Sequence, residues 1–370
     1  MEDLIYREHT ALHYAKEACD TLMKKFVPED LPPKGRFHYH QGVFLSGMQH
    51  TYDICGEEKY YRYIKAWVDS IIYEDGSIHS FDKGQLDDIQ PGILLYDLYK
   101  KSGDERYKKA LFTLLPIIRD FPKNEEGGFW HKESCRQQMW LDGLYMAGPI
   151  STRFAAEFDQ PEYFDIAAFQ ALLMEKKTKD PKTGLLYHAW DCDRVMPWAD
   201  KETGLSAEFW GRSIGWVPVA VLDELDDLPQ DHKDRKELIR MVADLLTALI
   251  PYQDPKTGLW YQVVDKGGQD GNWLESSCTC LFTEAICKAV RKGMLDEKYL
   301  EVARKGYEGI IDRLRCNENG VIIDNICVGT GVGDYKHYCD RPTSENDLHG
   351  AGAFILMCAE VYRTFHGRQA

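Results

Sequence analysis

Residues 42–72 read GVFLSGMQHTYDICGEEKYYRYIKAWVDSII. The first part, 42–55, is apolar nearly all round and begins with small residues, the pattern of a helix buried on every side. At Gly56 the stretch turns acidic and polar, reaches a tyrosine, and then sets apolar residues at helical spacing. That is the pattern of an amphipathic helix, and its acidic opening suits the positive end of the helix dipole. The stretch therefore predicts a buried helix followed directly by one with a solvent face.

Both patterns recur. Amphipathic segments begin at Gly103 (GDERYKKALFTLLPIIRD), Asp159 (DQPEYFDIAAFQALLMEK) and Leu295 (LDEKYLEVARKGYEGIID). All-round apolar segments begin at Gly92 (GILLYDLYKKS), Gly143 (GLYMAGPISTRFAAEF), Ile214 (IGWVPVAVLDEL), Thr279 (TCLFTEAICKAV) and Gly350 (GAGAFILMCAEVY). A period of about fifty residues is typical of repeat architectures. Buried helices alternating with amphipathic ones predict an all-α, two-layer closed ring, an (α/α)6 barrel; an open α-solenoid is the alternative. The connectors DPKTGLLYHAWD, from Asp180, and DPKTGLWYQVVD, from Asp254, repeat as well. Each holds a glycine turn and a few apolar residues, and is expected to be short and extended or irregular. No Pro/Gly/Ser-rich linker interrupts the pattern, so a single domain over 1–370 is expected.

The formal net charge of −15 argues against nucleic acid and anionic membranes as partners. No apolar run is long enough to span a bilayer, and the opening MEDLIYREHTALHYAKEACD has no leader-like character. The 11 cysteines include no CxxC pair. This spacing suits reduced thiols in a cytoplasm better than disulfides or a zinc cluster. The 9 Trp, 21 Tyr and 15 Phe suit either a carbohydrate site or a large helical core.

The unusual polar residues sit just before buried helices. Asp87 lies in QLDDIQPG, Asp142 in QMWLDGLYM, Arg212 in FWGRSIGW, Glu275 in NWLESS, and Asp347 and His349 in NDLHGAG. In a toroid the N-termini of the inner helices share one rim, so these residues are expected to meet around one mouth, with His131 and His188 approaching from connectors. The competing reading is that the acids are N-caps. It is strongest for Glu275 and Asp347, and weaker for Asp87, whose neighbour Asp88 is the easier cap. Asp142 is surrounded by Met139, Trp140, Leu141, Leu144 and Tyr145. Burial is expected to raise its pKa and keep it protonated, as a general acid requires. An arginine between tryptophans (Trp210, Arg212, Trp216) suits a sugar carboxylate, or else a structural cation–π stack. His131 and His188 read either as orienting groups or as core histidines. Tyr39 lies between His38 and His40; that HxH suggests no third ligand, and no metal is expected.

The segments RFHYHQGVFL, QLDDIQPG, EGGFWHK, QMWLDGLYM, TGLLYHAWD, EFWGRSIGW, TGLWYQVVDKG, NWLESS, ICVGTGVG and NDLHGAGAFIL together resemble the unsaturated rhamnogalacturonyl hydrolases of glycoside hydrolase family 105, nearly end to end. The resemblance implies an (α/α)6 barrel, no metal or organic cofactor, and a small unsaturated oligosaccharide as substrate. It implies removal of the 4,5-unsaturated galacturonyl residue left by pectin lyases, through hydration of the C4=C5 vinyl ether. Asp142 matches the family's acid and base, and Asp87 its second aspartate, which positions the sugar and supports the cation. His188, Trp210, Arg212 and Trp216 match sugar contacts, with Arg212 toward the uronate. Tyr39, His131 and Lys132 match further pocket positions. The alternatives are an unsaturated glucuronyl hydrolase acting on glycosaminoglycan fragments, a sugar epimerase using His131 and His188 as its acid and base, and a non-catalytic binder.

Overall fold

A computed structural model of the chain describes residues 4–366; residues 1–3 and 367–370 of the expected 1–370 unit lie outside the described residues. The helices come in outer–inner or inner–outer succession. In chain order they are α1 (Ala11–Lys25), α2 (Tyr39–Cys55), α3 (Glu58–Asp69), α4 (Leu94–Ser102), α5 (Glu105–Asp120) and α6 (Gly143–Phe158). After these come α7 (Glu162–Thr178), α8 (Gly211–Asp227), α9 (Arg235–Leu249), α10 (Ser276–Arg291), α11 (Leu300–Arg313), the short α12 (Tyr335–Cys339) and α13 (Leu348–His366).

The inner helices close on themselves. Going round, α2 packs on α13, α13 on α10, α10 on α8, and α8 on α6; the 3-10 turn Gln90–Ile93 ahead of α4 then joins α6 back to α2. Outside them lie α1 on α13, α3 on α2, α5 on α4, α7 on α6, α9 on α8 and α11 on α10. This is the (α/α)6 barrel, and its closure excludes the open solenoid. Each all-round apolar segment of the sequence became an inner helix: in α10, for example, every residue from Ser276 to Val290 is buried.

The repeated openings of the amphipathic segments have a local cause. Gly56, Gly103 and Asp159 adopt left-handed conformations (φ 68°, 70° and 55°) and end α2, α4 and α6. Their backbone N–H groups donate to Tyr52, Tyr99 and Ala155 carbonyls. This cap stops the inner helix and turns the chain into the outer one. Two outer helices, α1 and α9, lack that opening and were not foreseen. Both carry buried residues at three- and four-residue spacing, Leu238, Met241, Val242, Leu245 and Leu249 in α9 and an alanine-rich stripe in α1.

The inner wall is tight. A Cβ on Gly352 of α13 would stand 2.6 Å from the backbone carbon of Val43 and 2.7 Å from the nitrogen of Phe44 in α2. Backbone cannot yield as a flexible side chain can, so Gly352→Ala is expected to cost about 1–3 kcal/mol. A urea unfolding midpoint equal to that of the wild type would show that α2 and α13 have room to separate.

Among the described residues the strands form two-stranded antiparallel pairs only. The repeated connectors supply two of them: Ala189–Asp191 pairs with Gln138–Trp140, and Trp260–Tyr261 with Leu274–Glu275. The first ladder matters for the site. It sets Trp140 opposite Ala189, and the Leu141 N–H donates to the His188 carbonyl at 3.0 Å. His188 is thereby fixed beside Asp142.

Candidate active site

The inner-helix N-termini surround one cleft of about 490 Å³. Asp87, Asp142, Arg212 and Tyr39 reach it from the starts of four inner segments, and His131, Lys132 and Trp210 from connectors. The rim predicted from the sequence is present in part: Glu275, Asp347, His349 and His188 are not among the residues lining this cleft.

Asp142 stands immediately before α6, yet its side chain caps no backbone N–H, so the N-cap reading does not describe it. Its Oδ2 lies 3.2 Å from His188 Nε2, close enough for a charge contact although not aligned as a hydrogen bond. His188 is fully buried and its Nδ1 is 2.7 Å from the Tyr338 hydroxyl of α12. Trp210 packs against the same imidazole, with ring centroids 4.7 Å apart. His188 is thus not a wall of the cleft; it is clamped behind Asp142.

This arrangement reverses the expected charge state. Burial does push the Asp142 carboxyl up, but His188, His131 and Arg212 together outweigh it and hold the group below the usual carboxylate range. Its place at the positive end of α6 acts in the same direction. In the free protein these groups favour the carboxylate form of Asp142 over the protonated acid that its apolar neighbours in sequence suggested. Those neighbours carry no charge, and the groups that decide the matter come from other parts of the chain.

Asp87 belongs to a second cluster. Its Oδ2 is 2.8 Å from Lys132 Nζ and its Oδ1 is 3.6 Å from His131 Nε2. Burial raises its pKa, and His131, Lys132 and His38 more than reverse that. His131 stacks flat on Trp140, centroids 4.6 Å apart. Asp88 turns away: it accepts from Arg36 at 3.1 Å and from the Asp82 N–H at 3.0 Å. The expectation that Asp88 serves as a helix cap is therefore corrected, because an arginine and a loop N–H take it first. Glu275 does cap α10, accepting from the Cys278 N–H at 2.5 Å, and it also accepts from the Cys327 N–H at 2.9 Å.

Two tryptophan–arginine expectations separate. Arg212 donates to the carbonyls of Cys327 and Val328, the latter at 2.9 Å, and its guanidinium lies 4.5 Å from the Trp210 ring. It lines the cleft, but two of its donors tie down the 326–328 segment. Trp216 is not among the cleft residues. It is 1% exposed and stacks on Tyr145 with centroids 4.5 Å apart. One further turn of α8 carries it from the rim into the barrel wall, so its expected contact with sugar is corrected.

Sequence reasoning missed several cleft residues. Trp140 was read only as apolar surroundings for Asp142, yet it lines the cleft beside His131. Arg341 also lines it, donating to the Gly329 carbonyl at 2.5 Å while its Nε is buried without a partner. Gly329, Thr330 and Gly331 come from the ICVGTGVG motif, whose glycines were the available signal. His38 and His40 do not share a ligand: His38 faces Asp88 at 3.9 Å and His40 faces Asp347 at 3.9 Å.

Comparison with known proteins gives a consistent result. The model of Glycosyl Hydrolase Family 88 matches residues 14–365. The unsaturated rhamnogalacturonyl hydrolase YesR of Bacillus subtilis is 25% identical over 360 residues, covering 95% of this chain and 97% of that protein. A solved glycoside hydrolase from family 105 of C. acetobutylicum is 36% identical with a TM-score of 0.90, over 94% of this chain and 99% of that one. The unsaturated glucuronyl hydrolase of Bacillus sp. GL1, responsible for glycosaminoglycan degradation, shares the fold at a TM-score of 0.72 and 14% identity, over 97% of each chain.

Proposed function

The chain belongs to Glycosyl Hydrolase Family 88 and is a hydrolase acting on unsaturated uronyl sugars; from that premise we propose that it removes the 4,5-unsaturated galacturonyl residue from rhamnogalacturonan lyase products. The observation that carries the mechanism is Asp142, at the mouth of the cleft with His188 behind it at 3.2 Å. Asp142 protonates C4 of the vinyl ether. The cation at C5 is stabilised by the ring oxygen and by the Asp87 carboxylate. Water adds at C5 and returns a proton to Asp142, which acts first as acid and then as base. The resulting hemiketal opens and the glycosidic bond is lost. Direct displacement at C1, with its paired carboxylates, is not the template.

A carboxylate held low in the free protein needs its proton back before each turnover. The incoming uronate supplies the means: it brings a negative charge next to Asp142 and expels water, and both raise the Asp142 pKa. Lys132, Arg212 and Arg341 supply positive charge to the cleft wall. Lys132 is already paired with Asp87 and Arg212 gives two donors to backbone carbonyls, whereas Arg341 gives one, to Gly329, and keeps a buried Nε unpartnered, so Arg341 is the better-placed guanidinium for the uronate.

A pH prediction follows from the direction of the Asp142 shift. The kcat/KM profile reports the free protein, where Asp142 is depressed, so kcat/KM is expected to fall as pH rises above that low pKa, toward tenfold per unit. The kcat profile reports the complex and is expected to stay level to higher pH. Superimposable alkaline limbs in the two profiles would remove the substrate-driven shift from this account.

The epimerase alternative needs His131 and His188 free to move protons at a sugar carbon. His131 is held between Asp87 and Trp140, and His188 between Asp142 and Tyr338, which disfavours it. The glucuronyl alternative is a matter of substrate alone. Lyase elimination makes C4 and C5 planar, which erases the stereocentre that distinguishes galacturonate from glucuronate, so discrimination rests on the linkage and the attached sugar. The test is loss of ultraviolet absorbance of the conjugated double bond, run in parallel on the unsaturated galacturonyl–rhamnose disaccharide and an unsaturated glycosaminoglycan disaccharide. Faster loss with the first is expected; loss only with the second would transfer the same mechanism to the other substrate. The protein is proposed to work in the cytoplasm, where its 11 unbridged cysteines would stay reduced. Among the described residues no helix is long and apolar enough to cross a membrane.

A further inference from the structure

His40, at the start of α2, and Asp347 and His349, at the start of α13, converge at the mouth of the barrel, and their ligand-type atoms all lie within 4.8 Å of one another. His40 Nε2 is 3.9 Å from Asp347 Oδ1, and His349 Nδ1 is 2.9 Å from the same oxygen. Ligands bound tetrahedrally to zinc at 2.0–2.2 Å stand about 3.3 Å apart. These two distances straddle that value and the third pair lies within 4.8 Å, so shifts of up to about 1.5 Å would complete the geometry.

The hydrogen bonding at His349 points to a cation. The side chain is fully buried. Its Nε2 lies 3.1 Å from the Cys327 carbonyl, which can only accept, so Nε2 carries the proton. In a neutral ring Nδ1 is then a bare lone pair, and it faces a carboxylate oxygen at 2.9 Å. His40 Nε2, a buried atom, has no hydrogen-bond partner, and His349 Nδ1 has none beyond the Asp347 oxygen that it faces. Two facing acceptors require a positive charge between them. A proton on Nδ1 would satisfy His349 alone and leave His40 Nε2 unpartnered; a metal ion engages all three side chains.

We propose that His40, Asp347 and His349 form a zinc site at the cleft mouth, two imidazoles and one carboxylate, with the fourth position open toward the cleft that His40 lines. Two imidazoles and a carboxylate suit zinc better than calcium or magnesium, which prefer all-oxygen sets. The bound ion links α2 to α13, and through His349 it steadies the Cys327 carbonyl, one of the two that hold Arg212. The hydration at Asp142 needs no step at this ion, so the site stands or falls independently of the proposed activity. A second cluster, Asp165, His232 and Asp234, makes a useful contrast: Asp165 is exposed and already paired with Lys233 at 2.6 Å.

The test is calorimetric titration of chelator-stripped full-length protein with Zn2+, with Co2+ spectra in parallel. One Zn2+ per chain is expected, with a higher unfolding midpoint at saturating metal and visible Co2+ bands of a four-coordinate site. His40→Ala and Asp347→Asn are each expected to weaken binding by more than the roughly 10- to 100-fold that loss of an outer-shell partner costs. His232→Ala is expected to change nothing. Absence of Zn2+ binding by the wild type, binding that survives both ligand substitutions, or binding lost in His232→Ala would each overturn the proposal.

Discussion

Replacing Asp142 with asparagine is expected to lower turnover of the unsaturated disaccharide by roughly 10³- to 10⁴-fold, the upper part of what a positioned acid–base group contributes. Asparagine keeps the shape and can still face His188, so the barrel and much of the binding should remain. The change removes the only step for which a proton must be delivered to carbon. A small loss of stability is expected with it. A carboxylate held below its usual range stabilises the fold above its unfolded pKa, and that contribution disappears when the charge is removed. Turnover and circular dichroism of the same preparation check both parts. A variant that unfolds would make Asp142 chiefly structural, and one that keeps its rate would move the proton donor elsewhere.

Arg212→Ala is expected to have the second largest effect, and mainly on stability. The side chain is 2% exposed and bonded to the Cys327 and Val328 carbonyls. Hydrogen bonds from a charged donor contribute about 1.5–3 kcal/mol each, so removing both is expected to cost roughly 3 kcal/mol or more. The 326–328 segment would loosen with it, and cleft residues Gly329 and Thr330 follow directly in the chain. Activity should then fall on neutral and uronate-bearing substrates alike. A variant of wild-type stability that loses only uronate-bearing substrates would instead restore Arg212 as the direct carboxylate contact. Denaturant unfolding together with KM values for the two substrate types separates these outcomes.

The sequence carried the architecture well because the signals are local. The inner helices are apolar all round, and the left-handed caps at Gly56, Gly103 and Asp159 repeat in the chain. The rim was legible too, since polar residues such as Asp87 and Asp142 precede apolar helices. The charge state of Asp142 was not legible. It depends on His188, which a two-stranded ladder brings alongside, and on Arg212, from the start of another inner helix. Trp216 misled for a related reason: it lies near Arg212 in sequence, but the helical turn between them separates the rim from the barrel wall. The convergence of His40 with Asp347 and His349 joins the two ends of the chain. Spacing within HYH could not announce it, because the partners of His40 come from α13 and not from His38.

The central claim is that Asp142 protonates a vinyl ether and does not assist displacement at C1. The most direct measurement compares the rates at which the protein consumes galacturonyl–rhamnose with and without the C4=C5 double bond, in otherwise identical disaccharides. The expected result is rapid loss of the unsaturated sugar and no cleavage of the saturated one. Cleavage of the saturated disaccharide at a comparable rate would contradict the claim and require chemistry at C1.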